Sequence, residues 1–183
     1  MFRRLLLALL LAASVGLAWS QVRQDPLTPQ EADQVRSTAD KLDKRVPLLL
    51  RFAAARLARF EQIRTASPRP PGRDAQLYAL LRQYKAILPE MDDAVDDLAE
   101  QPKQYKVAKV LDAAIASLQA LTATLRQMQA ASTPADLANY HFMLQDCLDV
   151  TGDSLQNAQQ TRAQAGKPSA DARSRTHLFS RFS

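Results

Sequence analysis

Apolar side chains return every three or four residues through most of this chain, and that spacing commits it to amphipathic helices. Over residues 74–100 the stripe reads Leu77, Leu80/Leu81, Tyr84, Leu88, Met91, Val95 and Leu98. Over 103–131 it reads Val107, Val110/Leu111, Ala114, Leu118, Leu121, Leu125 and Met128. A third stripe follows as Leu137, His141, Leu144, Leu148, Thr151 and Leu155. After residue 20 only Gly72, Gly152 and Gly166 remain as glycines, while alanine, leucine and glutamine abound, which favours helix over strand.

Breakers and caps divide the pattern into four segments. Thr28-Pro29-Gln30-Glu31 is a capping box with proline in the first turn, and the helix it opens runs to about Ala66 with Pro47 as an interruption. Ser67-Pro68-Arg69-Pro70-Pro71-Gly72 is a loop. The second segment carries Pro89, and Pro102 starts the third. Thr133-Pro134-Ala135-Asp136 opens the fourth, which Gly166 and Pro168 end. Short connections force antiparallel neighbours, so the expected fold is all-α: an up-down-up-down four-helix bundle over 28–166. Counted from the loops, Pro47, Pro89 and Gly152 fall at one height, near Ala113. Their coincidence predicts either simple helix curvature or a waist that opens a ligand-sized gap.

Residues 1–20 read as a cleaved signal peptide. Arg3 and Arg4 precede the uncharged run Leu5 to Ala18, and Ala18-Trp19-Ser20 sets small residues before a cut ahead of Gln21. The run is shorter than the roughly 20 residues that span a bilayer. No transmembrane span is expected in the mature chain, and 21–27 reads as a linker. With the sole cysteine at Cys147, a lipid anchor at the cut is not expected. Cleavage lowers the formal charge from +5 to +3, because two arginines leave and 22 Lys plus Arg then face 19 Asp plus Glu. That is no nucleic-acid footprint. Residues 167–183 are polar and basic and read as a disordered tail, with an aromatic end at His177-Leu178-Phe179-Ser180-Arg181-Phe182.

Each constellation that suggests chemistry lacks a part. The acids Glu90, Asp92, Asp93, Asp96, Asp97 and Glu100 have no glycine bend for a calcium loop and no Glu-x-x-His for a di-metal centre. They read as a solvated face paired with Lys41, Lys44 and Arg45. His141 with Met91 or Met128 has the residue types of a His/Met haem site, but a core histidine is the simpler reading. Covalent haem would need C-x-x-C-H. Cys147 reads as a buried thiol, and its nearest histidine in sequence, His141, points to another face. No G-x-S-x-G and no phosphate loop is present. Arg51, Arg56, Arg59 and Arg64 spread around their helix, as core-edge arginines do and membrane-surface ones do not. No catalytic, metal or cofactor residue is assigned, and no cofactor is expected.

The stretch Leu27 to Arg64 (LTPQEADQVRSTADKLDKRVPLLLRFAAARLARFEQIR) resembles the start of a group of exported helical proteins of soil-type bacteria. The resemblance implies a helical fold and export, and no activity. The functional expectation is a non-catalytic binding module whose partner is an envelope protein or a second copy. The alternative is a small-ligand, metal or haem carrier with a cavity near Pro47, Pro89 and Gly152.

Overall fold

The computed structural model describes residues 25–101 and 106–165. The expected signal peptide at 1–20, the expected start of the third segment at Pro102 and the expected tail at 167–183 lie outside the described residues. The chain is all-α. Among the described residues there are five helices: α1 (Pro29–Arg36), α2 (Leu42–Thr65), α3 (Arg73–Glu100), α4 (Val107–Ala131) and α5 (Pro134–Ala165).

The extra helix is the first departure from expectation. The capping box at Thr28 and Glu31 forms with both of its hydrogen bonds. The helix it starts stops at Arg36, because Ser37 and Thr38 turn their hydroxyls back onto the carbonyls of Gln34 and Val35. The chain restarts at Leu42, which places Pro47 in the second turn of α2 rather than midway along a long helix. Pro47 and Pro89 both lie inside continuous helices, as does Gly152, and neither proline splits its helix. The expected linker also ends early. Leu27 is buried in the core, and the Pro26 carbonyl accepts from Arg56.

The long helices follow a 4-3 repeat. α4 buries Val107, Leu111, Ala114, Leu118, Leu121, Leu125 and Met128, and α3 buries Leu77, Leu81, Tyr84, Leu88, Met91, Val95 and Leu98 with Ile87 and Ala94 alongside. Such spacing averages 3.5 residues and keeps one seam turned inward, as in a coiled coil. On α5 the buried set is Asp136, Tyr140, Leu144, Cys147, Thr151, Ser154, Ala158 and Thr161. This bears out Leu144 and Thr151 of the expected stripe and corrects the rest. Leu137, Leu148 and Leu155 are only partly buried at the flanks, and His141 is exposed. Small and polar side chains take the inward position there because the large residues of α3 fill the space opposite.

Chain direction alternates from α2 to α5, but sequence neighbours are not all spatial neighbours. α2 packs on α3 and α4, α5 packs on α3 and α4, and α3 barely meets α4. The two hairpins α2–α3 and α4–α5 therefore meet along parallel pairs. Rungs at Asp74–Asn139, Asp92–Ser154 and Asp96–Asn157 keep a near-constant offset, so α3 and α5 run the same way. Asp43 faces Lys106 at one end of α2 and α4, and Arg64 donates to the Ala131 carbonyl at the other.

Candidate functional site

The parallel seam between α2 and α4 carries the concave surface that best fits a binding site. Its upper part is a cleft of about 520 Å³. One wall is Asp43, Val46, Pro47 and Leu50 of α2, and the other is Lys106, Lys109, Val110, Ala113, Ala114 and Ser117 of α4. Further along the same seam, Ala54, Leu57 and Ala58 face Leu121, Thr124 and Met128 across a second cleft of about 310 Å³. The cause is residue size. From 113 to 117 α4 offers alanine, alanine and serine toward α2, and Ala54 and Ala58 do the same from the other side.

The predicted waist is therefore corrected in form. Pro47, Pro89 and Gly152 are all exposed, and the core beside them is filled by Leu49, Leu88 and Met91 with no exposed surface. Pro47 borders the upper cleft, while Pro89 and Gly152 do not. The space opened near that height is a groove on one face, not an internal hollow.

The acidic run behaves only partly as a solvated face. Asp93, Asp96, Asp97 and Glu100 are exposed, but Asp92 turns toward α5. There it accepts from Ser154 Oγ at 2.7 Å, and its other oxygen is buried without a partner. Burial holds its carboxyl above the ordinary range despite the hydrogen bond from Ser154. The expected pairing with Lys41, Lys44 and Arg45 is not made by contact. No ion pair joins these groups to the acidic run among the described residues, and Arg45 reaches Glu90 only through its field. No cluster of three or more His, Cys, Asp or Glu suited to a metal occurs among the described residues.

His141 is exposed with its ring against Phe142, whereas Met91 and Met128 are buried, so the structure does not bring the haem-type pair together. Cys147 is buried and free. Its thiol donates to the Leu81 carbonyl at 3.4 Å, and burial pushes its pKa up to about 12. A thiol so held is a poor nucleophile.

The arginines of α2 act as fasteners. Arg56 is buried and donates to both carboxylate oxygens of Glu31 and to the Pro26 carbonyl, which clamps α1 onto α2. That guanidinium holds the Glu31 carboxyl down at about 2. Arg64 binds Glu61 beside its contact with Ala131. Arg51 donates to Gln34 and lies 5.4 Å from the Phe52 ring centroid. A buried pair that sequence reading missed, Arg73 and Asp136 at 2.9 Å, ties α3 to the start of α5, and Arg73 also reaches the Arg64 carbonyl. Asp136 was legible as a helix-start charge, but nothing in the local sequence points from it to a residue 63 positions away.

No family model matches the chain, and no curated protein or solved structure matches it either.

Proposed function

We propose that this protein is an exported, non-catalytic binding module, an antiparallel-type four-helix bundle with a short leading helix, and that the α2/α4 seam is its binding face. The observation that carries the reading is the pair of clefts in line along one seam, walled by small and apolar side chains. An apolar helix or extended segment of an envelope partner, or of a second copy, fits such a groove as helix-in-groove recognition does. The outer side of α4 adds exposed Ala113, Ala116, Ala120 and Ala123, which let another backbone approach closely. α4 is also long and apolar enough, by length and composition, to cross a membrane. In this reading its leucines belong to the core and its alanines to the binding face.

Export rests on Arg3, Arg4 and the apolar run behind them. The mass of the protein recovered from the producing cell's periplasm is expected to match a chain that begins at Gln21. A full-length, membrane-retained product removes the export reading. For the binding face, a photo-crosslinking residue at Ala113 and another at Ala58 should mark the same partner. A residue at Phe142, on the α3/α5 side, should not. Crosslinks from Phe142 alone would move the binding face away from the α2/α4 seam.

A second reading is favoured by one observation. The upper cleft lies at the height of Pro47 and, at about 520 Å³, falls within the roughly 300–1,000 Å³ of small-molecule sites. A carrier or sensor of a small ligand would use that cleft alone.

A further inference from the structure

We propose that the upper α2/α4 cleft is a site for a free single-chain fatty carboxylate, with its head at Lys106 and Lys109 and its chain laid along the seam toward Ser117. The proposal rests on the reading of this seam as the binding face and names its ligand class. Charge is unevenly placed in the cleft. Both lysines stand on the α4 wall at one end, both are exposed, and neither forms an ion pair with another described residue. The one acid, Asp43, stands on the α2 wall at that same end, so two cations face one anion and the end attracts a carboxylate.

Beyond the lysines the walls are Val46, Pro47, Leu50, Val110, Ala113 and Ala114, an apolar trough that suits methylenes. At the far end the Ser117 hydroxyl already donates to the Ala113 carbonyl at 2.9 Å, so its proton is not free for a ligand head. The trough thus has one polar, cationic end and one quiet end, which fixes the direction of an amphiphile. From Lys106 to Ser117 the helix rises about 16 Å, the reach of a medium-length acyl chain. At about 520 Å³ the cleft is of small-molecule size, which suits a single acyl chain.

Isothermal titration of the purified protein with dodecanoate, dodecanol and dodecyltrimethylammonium, each below its micelle concentration, tests the assignment. Dodecanoate is expected to bind one to one, and the cationic amphiphile about tenfold or more weaker. Replacing both lysines (Lys106→Gln with Lys109→Gln) should weaken dodecanoate about tenfold, and Asp43→Asn should tighten it several-fold. Ala113→Phe should abolish binding, while Ala58→Phe in the lower cleft leaves it unchanged. The exposed positions of the two lysines and Ala113 keep these variants folded, and their melting curves verify that. Equal binding of the cationic amphiphile, an unchanged affinity in the double lysine variant, or no dodecanoate binding overturns the proposal. If dodecanoate fails while crosslinks from Ala113 and Ala58 still mark one partner, the fatty-carboxylate site falls and the binding face stands. If dodecanoate binds and Ala113→Phe blocks it while crosslinks arise only from Phe142, the partner reading falls and the fatty-carboxylate site stands.

Discussion

The two parallel seams of this protein are built on opposite principles. Along α3/α5 the helices are stitched by polar rungs: Arg73–Asp136, Asp74–Asn139, Lys85–Asp146, Tyr84–Thr151, Asp92–Ser154 and Asp96–Asn157. Along α2/α4 the one side-chain hydrogen bond that crosses among the described residues is Arg64 to the Ala131 carbonyl, at the very end. Both seams use small residues on one partner. On α5 they face Tyr84, Leu88 and Met91 and the space is filled. On α4 Ala113, Ala114 and Ser117 face Val46, Pro47 and Leu50, and the space stays open. Small residues therefore do not by themselves draw helices together: what stands opposite decides between close packing and a groove.

The largest effect should come from cutting a rung that has no water to replace it. Asp136→Ala leaves the Arg73 guanidinium, at 7% exposure, with only the exposed Asp74 carboxylate at 3.4 Å and the Arg64 carbonyl, and should cost about 3 kcal/mol in urea denaturation. A loss below about 1 kcal/mol would mean that the stitched seam owes little to this pair.

Next comes the same kind of insertion on the two seams. Ser154→Leu must force a large side chain against α3 and strip Asp92 of its donor, and should destabilise by about 2–3 kcal/mol. Ala113→Leu enters open space and should stay within about 0.5 kcal/mol of the parent. Equal losses at both positions would erase the contrast drawn between the seams.

Acid should act on the two sides of the molecule with opposite signs. The Glu31 carboxyl is held at about 2 against an ordinary 4.5, so its contribution is full above 4.5 and is lost as pH falls toward about 2. The clamp of α1 on α2 should open in that window, seen as faster amide exchange in 29–36. Asp92 is raised by burial, so the folded state binds its proton more readily than the unfolded chain does. Acidification toward 3.8 should therefore favour the folded α3/α5 seam, and Asp92→Asn should flatten that rise in stability. A rise that persists in Asp92→Asn assigns it to another carboxyl. The smallest effect is chemical: Cys147, within the stitched seam, should resist a thiol reagent at pH 8 until denaturant is added.

Much of this architecture was legible before any coordinates. The stripes of α3 and α4 were read nearly residue for residue, because leucine and methionine at steps of three and four leave little choice of face. The α5 face was read only in part: Leu144 and Thr151 lie on it, but so do Cys147, Ser154 and Ala158, while Leu137, Leu148 and Leu155 draw the eye a fraction of a turn away. The break at Ser37–Asp40 was missed for a related reason. Its signal is two hydroxyls that compete for backbone carbonyls, weaker on the page than Pro47 yet decisive in the fold. Of the candidate site, the run of small residues at Ala113, Ala114 and Ser117 was visible, but not what faces it. That depends on α4 lying beside α2 rather than beside α3, a choice that short loops do not determine.

The diagonal placement of α3 and α4 has a consequence for how the molecule opens. The two hairpins are like the boards of a book, with α3/α5 as the sewn spine and α2/α4 as the fore-edge. A swing about the spine would part α2 from α4 while every polar rung held, so a bulky guest could be admitted without unfolding any helix. The energy needed to turn that page is set by the apolar floor of the fore-edge, where Leu57 and Leu121 line the lower cleft.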